Sequence, residues 1–530
     1  MALRIGTLFC IACICAFNSV AWAERTTAPS HIRIATAGEP QTLDPHRYNL
    51  RLEETLLNDL FMGLTTFGAA GDIVPGAAAR WHTSDDGLVW TFELRKDLYW
   101  SDGVPLNAND FVFSLQRLLD PATAASLAYF MYMIDNAAAV NRGAQPTTAL
   151  GVRAIDEHTL ELRLEKPYPY LLERLLYPTA FPVPAHVIRE HGSAWTKAEH
   201  WVSNGAYTLD EWRPQSHVRM QANSRFITPP RISQITYLPL ANEQNAYNRY
   251  RNKEVDVIGA FPATELDAVR RTYSADLRLS NLLSMAYLVF NLQVPALADI
   301  RVRQALSLAV DQRVLTDQVM RSGAAPAFSF APAMIDDYDS AELPHKEIPY
   351  ADRLSQAKAL LAAAGYTQQN PLRVTLRHMS TLENKKINLA ISGMWRQIGV
   401  RTQLQQADVR THFSALRQGD FDVAWAAWVG ENNAEHYLSL LQSDIGNVNY
   451  GRFADPHYDD LMREVSLTAD ASQRNARLQR AEQHVVQRYP VIPLYTMAVR
   501  RLVSPHLQGW QENPRDMHQS RYLSWPESAR

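Results

Sequence analysis

Cysteine is nearly absent from this 530-residue chain: there are three, Cys10, Cys13 and Cys15, all within the first fifteen residues. Those fifteen belong to a segment that reads as an export signal. Arg4 supplies the positive start, Ile5 to about Phe17 is apolar but too short to span a bilayer, and Ala21-Trp22-Ala23 gives the small-x-small cleavage pattern. No cysteine has the Leu or Val three residues upstream, followed by small residues, that lipid attachment requires, so no lipid anchor is expected. Cleavage after residue 23 would leave 507 residues beginning at Glu24 and holding no thiol. A disulfide scaffold, a thiolate metal site and a cysteine nucleophile are thereby excluded from the mature chain.

A strong charge of either sign is also missing. Once Arg4 is removed, 51 basic residues face 55 acidic ones, which provides no electrostatic footprint for nucleic acid or an anionic membrane surface. Past the signal no run of eighteen apolar residues occurs, so no transmembrane helix is expected. The motifs of common enzymes are lacking too: there is no phosphate-cradling Gly-rich loop and no Gly-x-Ser-x-Gly elbow. His186 and His191 come nearest to a zinc motif, but they are five apart, whereas ligands on one helical face need three or four. No cofactor and no metal are expected, and a hydrolase reading finds no nucleophile–base pair.

What is present is mixed α/β patterning over enough chain for two to four domains. Leu88 to Arg95 alternates, with Trp90, Phe92 and Leu94 on one face, and Thr159 to Leu164 repeats the pattern. Asp299 reads as the N-cap of a helix carrying Val302, Leu306 and Val310 and ending near Gly323. Leu354 to Ala364 predicts a second helix with Gly365 as its C-cap. Asp102-Gly103 and Asn204-Gly205 mark turns. No Gly/Ser- or Pro-rich linker separates domains, which favours several chain crossings, and so a hinge, over a tether.

Trp90 to Phe111, WTFELRKDLYWSDGVPLNANDF, contains Leu94-Arg95, Asp97 and then Trp100-Ser101-Asp102-Gly103-Val104-Pro105. In this the chain resembles the extracytoplasmic solute-binding proteins, family 5, that serve peptide-type ABC importers, and most of all the oligopeptide binders. The likeness continues in order through Thr42-Leu43-Asp44-Pro45-His46, Asn204-Gly205-Ala206-Tyr207, RNKEVDV at 251–257, DIRVRQALSLAVDQRVL at 299–315, GDFDVAWAAW at 419–428 and Val491-Ile492-Pro493-Leu494-Tyr495.

The resemblance implies a type II-like binding-protein fold in three domains: lobe I from about 24–60, 184–283 and 500–530, an inserted domain at 61–183, and lobe III at 284–499. A ligand would lie between closing lobes, held like an added strand, and be passed by a monomeric periplasmic protein to a permease. It also implies that a carboxylate shortly after a Trp anchors the ligand's α-ammonium; here that is Glu431 after Trp428. Ala427 and Val429 would offer backbone on this lobe, with Asn49 and Leu50 opposite. The basic residues that meet a peptide's carboxylate in the oligopeptide binders correspond to Leu416, Trp425, Met320 and Asn384, none of them basic. Arg417 and Arg321 stand one residue away from two of these. Trp425 either fills pocket volume or is core. The missing clamp leaves open a modified, branched or amidated peptide, a cell-wall peptide, or a non-peptide ligand such as a metal chelate, sugar or opine.

Overall fold

A computed structural model describes residues 30–526; the expected signal, the three cysteines and Glu24 lie outside that span. Among the described residues no helix is long and apolar enough to cross a membrane.

Three larger sheets organise the described residues, beside a small pair of strands at 65–67 and 73–75. The first has seven strands in the order 277–281, 498–503, 257–258, 31–36, 234–239, 217–222, 207–213. Its centre is parallel: His31–Thr36 pairs with both Gln234–Pro239 and Val257–Ile258 in the same direction. The second has six strands in the order 325–326, 491–496, 284–290, 423–429, 373–379, 401–407. A third, of four antiparallel strands in the order 78–83, 89–94, 159–163, 152–156, lies in sequence between helix Arg51–Leu60 and the strands 207–239 of the first sheet. Strands Val89–Leu94 and Thr159–Arg163 fall where the alternation put them, with Phe92, Leu160 and Leu162 fully buried.

Two crossings, side by side in space, join the first sheet to the second. Strand Leu277–Asn281 runs through residues 282–283 into Ser284–Phe290, and Val491–Thr496 runs through Met497 into Ala498–Val503. The partners match on both sides: 277–281 pairs antiparallel with 498–502, and 286–289 pairs antiparallel with 491–495. At the crossing itself Leu282 N donates to Met497 O at 2.8 Å, and Met497 N donates to Ser284 Oγ at 2.9 Å. One two-stranded ribbon therefore threads both sheets.

The Trp-Ser-Asp-Gly turn folds as its chemistry dictates. Trp100 is fully buried, Gly103 takes φ +96°, and Asp102 Oδ1 accepts from Val104 N at 3.0 Å. The helix Ala108–Leu119 then starts with a reciprocal cap: Asn107 accepts from Asn109 N, and Asp110 accepts from Asn107 N. Asn204-Gly205 is more than a turn. Asn204 bonds both the N–H and the C=O of Met62, Gly205 N donates to Leu60 O at 2.9 Å, and a Cβ on Gly205 would stand 2.3 Å from the Leu60 carbonyl carbon.

One helix differs from expectation. The stripe from Asp299 breaks after Ile300–Leu308, resumes at Gln312, and widens into a π-wound turn at Leu315–Met320. Asp311 causes the break by capping Val314 N. The carbonyls freed there are satisfied from helix Tyr350–Ala363, by Tyr350 Oη on Ala309 O and an Arg353 guanidinium N–H on Val310 O. Val302, Leu306 and Val310 are nonetheless fully buried.

Candidate functional site

A cavity of about 630 Å³ opens between a wall from residues 51–177 and a wall from residues 428–436, with Leu282, Leu283 and residues 514–516 at its base. Trp428, Val429 and Glu431 line it together. They are delivered by strand Val423–Val429, whose end projects past its neighbour: the ladder to Arg373–Met379 covers only Val423 and Ala424. Gly430 makes the exit from that strand possible, because a Cβ there would lie 2.6 Å from the Tyr437 ring.

Glu431 is 4% exposed, so its charge must be matched inside the protein. Arg174 Nη1 lies 2.8 Å from Oε1, His436 Nδ1 lies 3.4 Å from the same oxygen, and Asn433 Nδ2 donates to Oε2 at 3.3 Å. Burial alone would push the carboxyl up, but the His436 hydrogen bond, the Arg174 charge and Asn433 outweigh it and hold the group below the usual glutamate range. Arg174 is itself braced: its Nε donates to Tyr168 Oη at 3.1 Å, and its guanidinium carbon sits 4.8 Å above the centre of the Phe130 ring. The neighbouring Glu173 reaches the other way, to Arg515 at 3.3 Å and to Asn432 N at 2.9 Å. Tyr129, Phe130 and Tyr177 complete an aromatic wall facing Trp428.

Several expected residues are elsewhere. Asn49 and Leu50 form no strand: Leu50 is the N-cap of helix Arg51–Leu60, and both backbone N–H groups donate to Glu53 Oε2, at 2.8 and 2.9 Å, so neither remains for a ligand. Trp425 is core, packed in the cluster of Leu288, Ile391 and Tyr495. Leu416 is likewise core, fully buried with Phe421 and Val465. Asn384 is buried in the first turn of helix Leu382–Gln397, where its amide bonds the capping Thr381 hydroxyl. The one-residue shifts do not restore a clamp, since Arg417 is exposed and Arg321, exposed with φ +52°, pairs with Asp267. Neither arginine, nor Met320, lines the cavity. Ala427 is half-buried and opposes Ala286 in the ladder. His186 bonds Asp102, and His191 stacks on His200.

Arg174, His436 and the aromatic wall were not expected from the sequence. Only the adjacent acid–base pair Glu173-Arg174 hinted at them, and nothing in it names a partner some 260 residues away. A larger hollow, about 710 Å³, lies beside Arg33, Tyr250 and Lys253 and holds none of the candidate residues; its borders Ser30 and Trp525 adjoin the undescribed ends.

Two sheet-built bodies joined by a paired ribbon, with a cavity between them at the ribbon, define a hinged binding protein of the type II-like class. The chain belongs to the bacterial extracellular solute-binding proteins, family 5, whose profile matches residues 72–448. It is 35% identical over 509 residues to the probable deoxycholate-binding periplasmic protein YgiS of Escherichia coli K12, covering 94% of this chain and 95% of that one. It is 34% identical over 507 residues to the periplasmic murein peptide-binding protein MppA of the same organism, covering 94% and 93%. The unliganded open form of MppA superposes with a TM-score of 0.87 at 33% identity, over 95% of this chain and 99% of that one. The complex of Haemophilus influenzae OppA with the peptide RPPGFSPFR superposes at 0.73, 29% identical, over 94% and 99%.

Proposed function

We propose that this protein is the periplasmic solute-binding subunit of an ABC importer, a binding protein and not a catalyst, that captures a peptide-type ligand and delivers it to a membrane permease. Lobe I (24–60, 184–283, 500–530) with its inserted domain (61–183) and lobe III (284–499) would close on the ligand as a monomer. The observation that carries this reading is the end of strand Val423–Val429, which meets the cavity with no ladder partner on the 373–379 side beyond Ala424. An extended ligand can add itself to such an edge by main-chain hydrogen bonds. The names of MppA and OppA point to the same ligand class.

A second reading, an apolar non-peptide solute, is favoured by the aromatic wall of Tyr129, Phe130, Tyr177 and Trp428 and by the name of YgiS. Native mass spectrometry of protein released by osmotic shock decides between them. Co-purifying masses that fragment as peptides support the first reading. A single non-peptide mass, with no calorimetric heat from tri- to pentapeptides, replaces it with the second.

A further inference from the structure

Four carboxylates border the cavity, and each already has an arginine of the protein as its partner. Glu54 pairs with Arg51 at 2.8 Å, Glu173 with Arg515 at 3.3 Å, Glu431 with Arg174 at 2.8 Å and Asp516 with Arg501 at 2.5 Å. Among the described residues Glu54 Oε1 and Asp516 Oδ1 keep no hydrogen-bond partner, whereas both oxygens of Glu431 are engaged. The most deeply placed is Glu431, the carboxylate at which the family resemblance expects a ligand ammonium. Its partner Arg174 comes from the opposite wall and is fixed at three points: the carboxylate, the Tyr168 hydroxyl and the face of Phe130. An ammonium entering here would have to displace a guanidinium that is mostly buried, and leave it without a counter-charge. Beside the pair, Tyr129, Phe130, Tyr177 and Trp428 offer ring faces to the apolar parts of a ligand.

Taking the peptide reading above as given, we propose that Arg174 is a specificity-determining residue: it stands in for the ligand ammonium at Glu431, so the cleft selects ligands whose end at that point carries no positive charge. A peptide with a blocked amino terminus, or one whose amine lies elsewhere on the molecule, fits this requirement. A free α-ammonium gains nothing there, because the charge it would meet is already neutralised.

The test uses one tripeptide library in two forms, free-amine and N-acetylated, offered in equal amounts to the full-length mature protein and read by native mass spectrometry. The wild type is expected to hold the acetylated form at least as well as the free form. Arg174→Met, which removes the surrogate cation, is expected to turn to a tenfold or greater preference for the free amine. Arg174→Lys, which keeps a cation, is expected to retain the wild-type pattern, and adding Glu431→Gln to Arg174→Met to abolish the new preference. A tenfold preference of the wild type for free amines overturns the assignment, and that arm stands even if Arg174→Met fails to fold. So does retention of peptides by Arg174→Met with an unchanged ratio. If no variant holds either form, the peptide reading itself fails and takes this assignment with it.

Discussion

Glu431→Ala removes one half of a buried ion pair and leaves the other in place. Arg174 would keep the Tyr168 hydroxyl and the Phe130 face, but lose its only carboxylate among the described contacts. Breaking a buried pair from one side costs about 3–5 kcal/mol; the lower figure suits Arg174, whose side chain is 16% exposed and so partly solvated. At about 2.1 cal/mol/K of unfolding entropy per residue, a chain near 500 residues has about 1 kcal/mol/K, so a loss of about 3 kcal/mol lowers Tm by about 3 °C. Calorimetric melting of ligand-free protein measures this. Adding Arg174→Met to Glu431→Ala should recover much of the loss, because it removes the cation left without a counter-charge. The pH dependence carries a sign. Folding holds the Glu431 carboxyl below its ordinary 4.5, so the pair's contribution is fully present above that pH and fades as the pH falls through the folded value. The gap between wild type and Glu431→Ala should therefore narrow in acid. Equal stability of the two at pH 7, or strict additivity of the two substitutions, refutes the reasoning.

Glu482 is expected to act in the opposite direction. It is fully buried without a cation, accepts from Ala331 N, Ala341 N and Tyr338 Oη, and burial pushes its carboxyl up to about 7. Its stabilising effect is complete below about pH 4.5 and is lost as pH rises to about 7, a change of up to about 3 kcal/mol. Denaturant titrations across that window should show it, and Glu482→Gln should flatten it; an unchanged slope refutes the assignment. Gly205→Ala forces a Cβ into the Leu60 backbone, so the variant should melt several degrees lower or fail to accumulate, and wild-type melting would contradict the clasp. N-terminal sequencing of exported protein should begin at Glu24, and a lipid-modified terminus would contradict the reading of residues 1–23.

Local chemistry made much of the architecture legible. Trp100, Asp102 and Gly103 specify their turn through contacts within a few residues, and the alternation of Trp90, Phe92 and Leu94 gives the strand and its buried face. Where an apolar stripe met Asp311, periodicity failed, because a side-chain cap competes with helix and helix Tyr350–Ala363 rewards the break. At the site, the Trp-x-x-Glu spacing brought Trp428 and Glu431 to one wall. Position alone could not say that Glu431 was already satisfied, since that depends on Arg174, which reaches it only through the tertiary fold. The same blindness placed Asn49 and Leu50 opposite the ligand: the family resemblance supplied the place, but Glu53 had taken their amides.

The ribbon that threads both sheets also has a mechanical meaning. A single strand crossing between two bodies would leave them free to swivel about several axes. Two crossings side by side, stitched at Leu282, Ser284 and Met497, resist shear along the strands, because sliding one past the other would break both stitches. Bending across the ribbon and twisting along it remain easy. A ribbon stitched in this way leaves few degrees of freedom between the two sheets it threads, so a bend there would carry Trp428 and Glu431 along one path relative to the opposite wall. Reproducible registration of that kind is what lets the outer faces of two lobes signal, by their relative angle alone, whether anything lies between them.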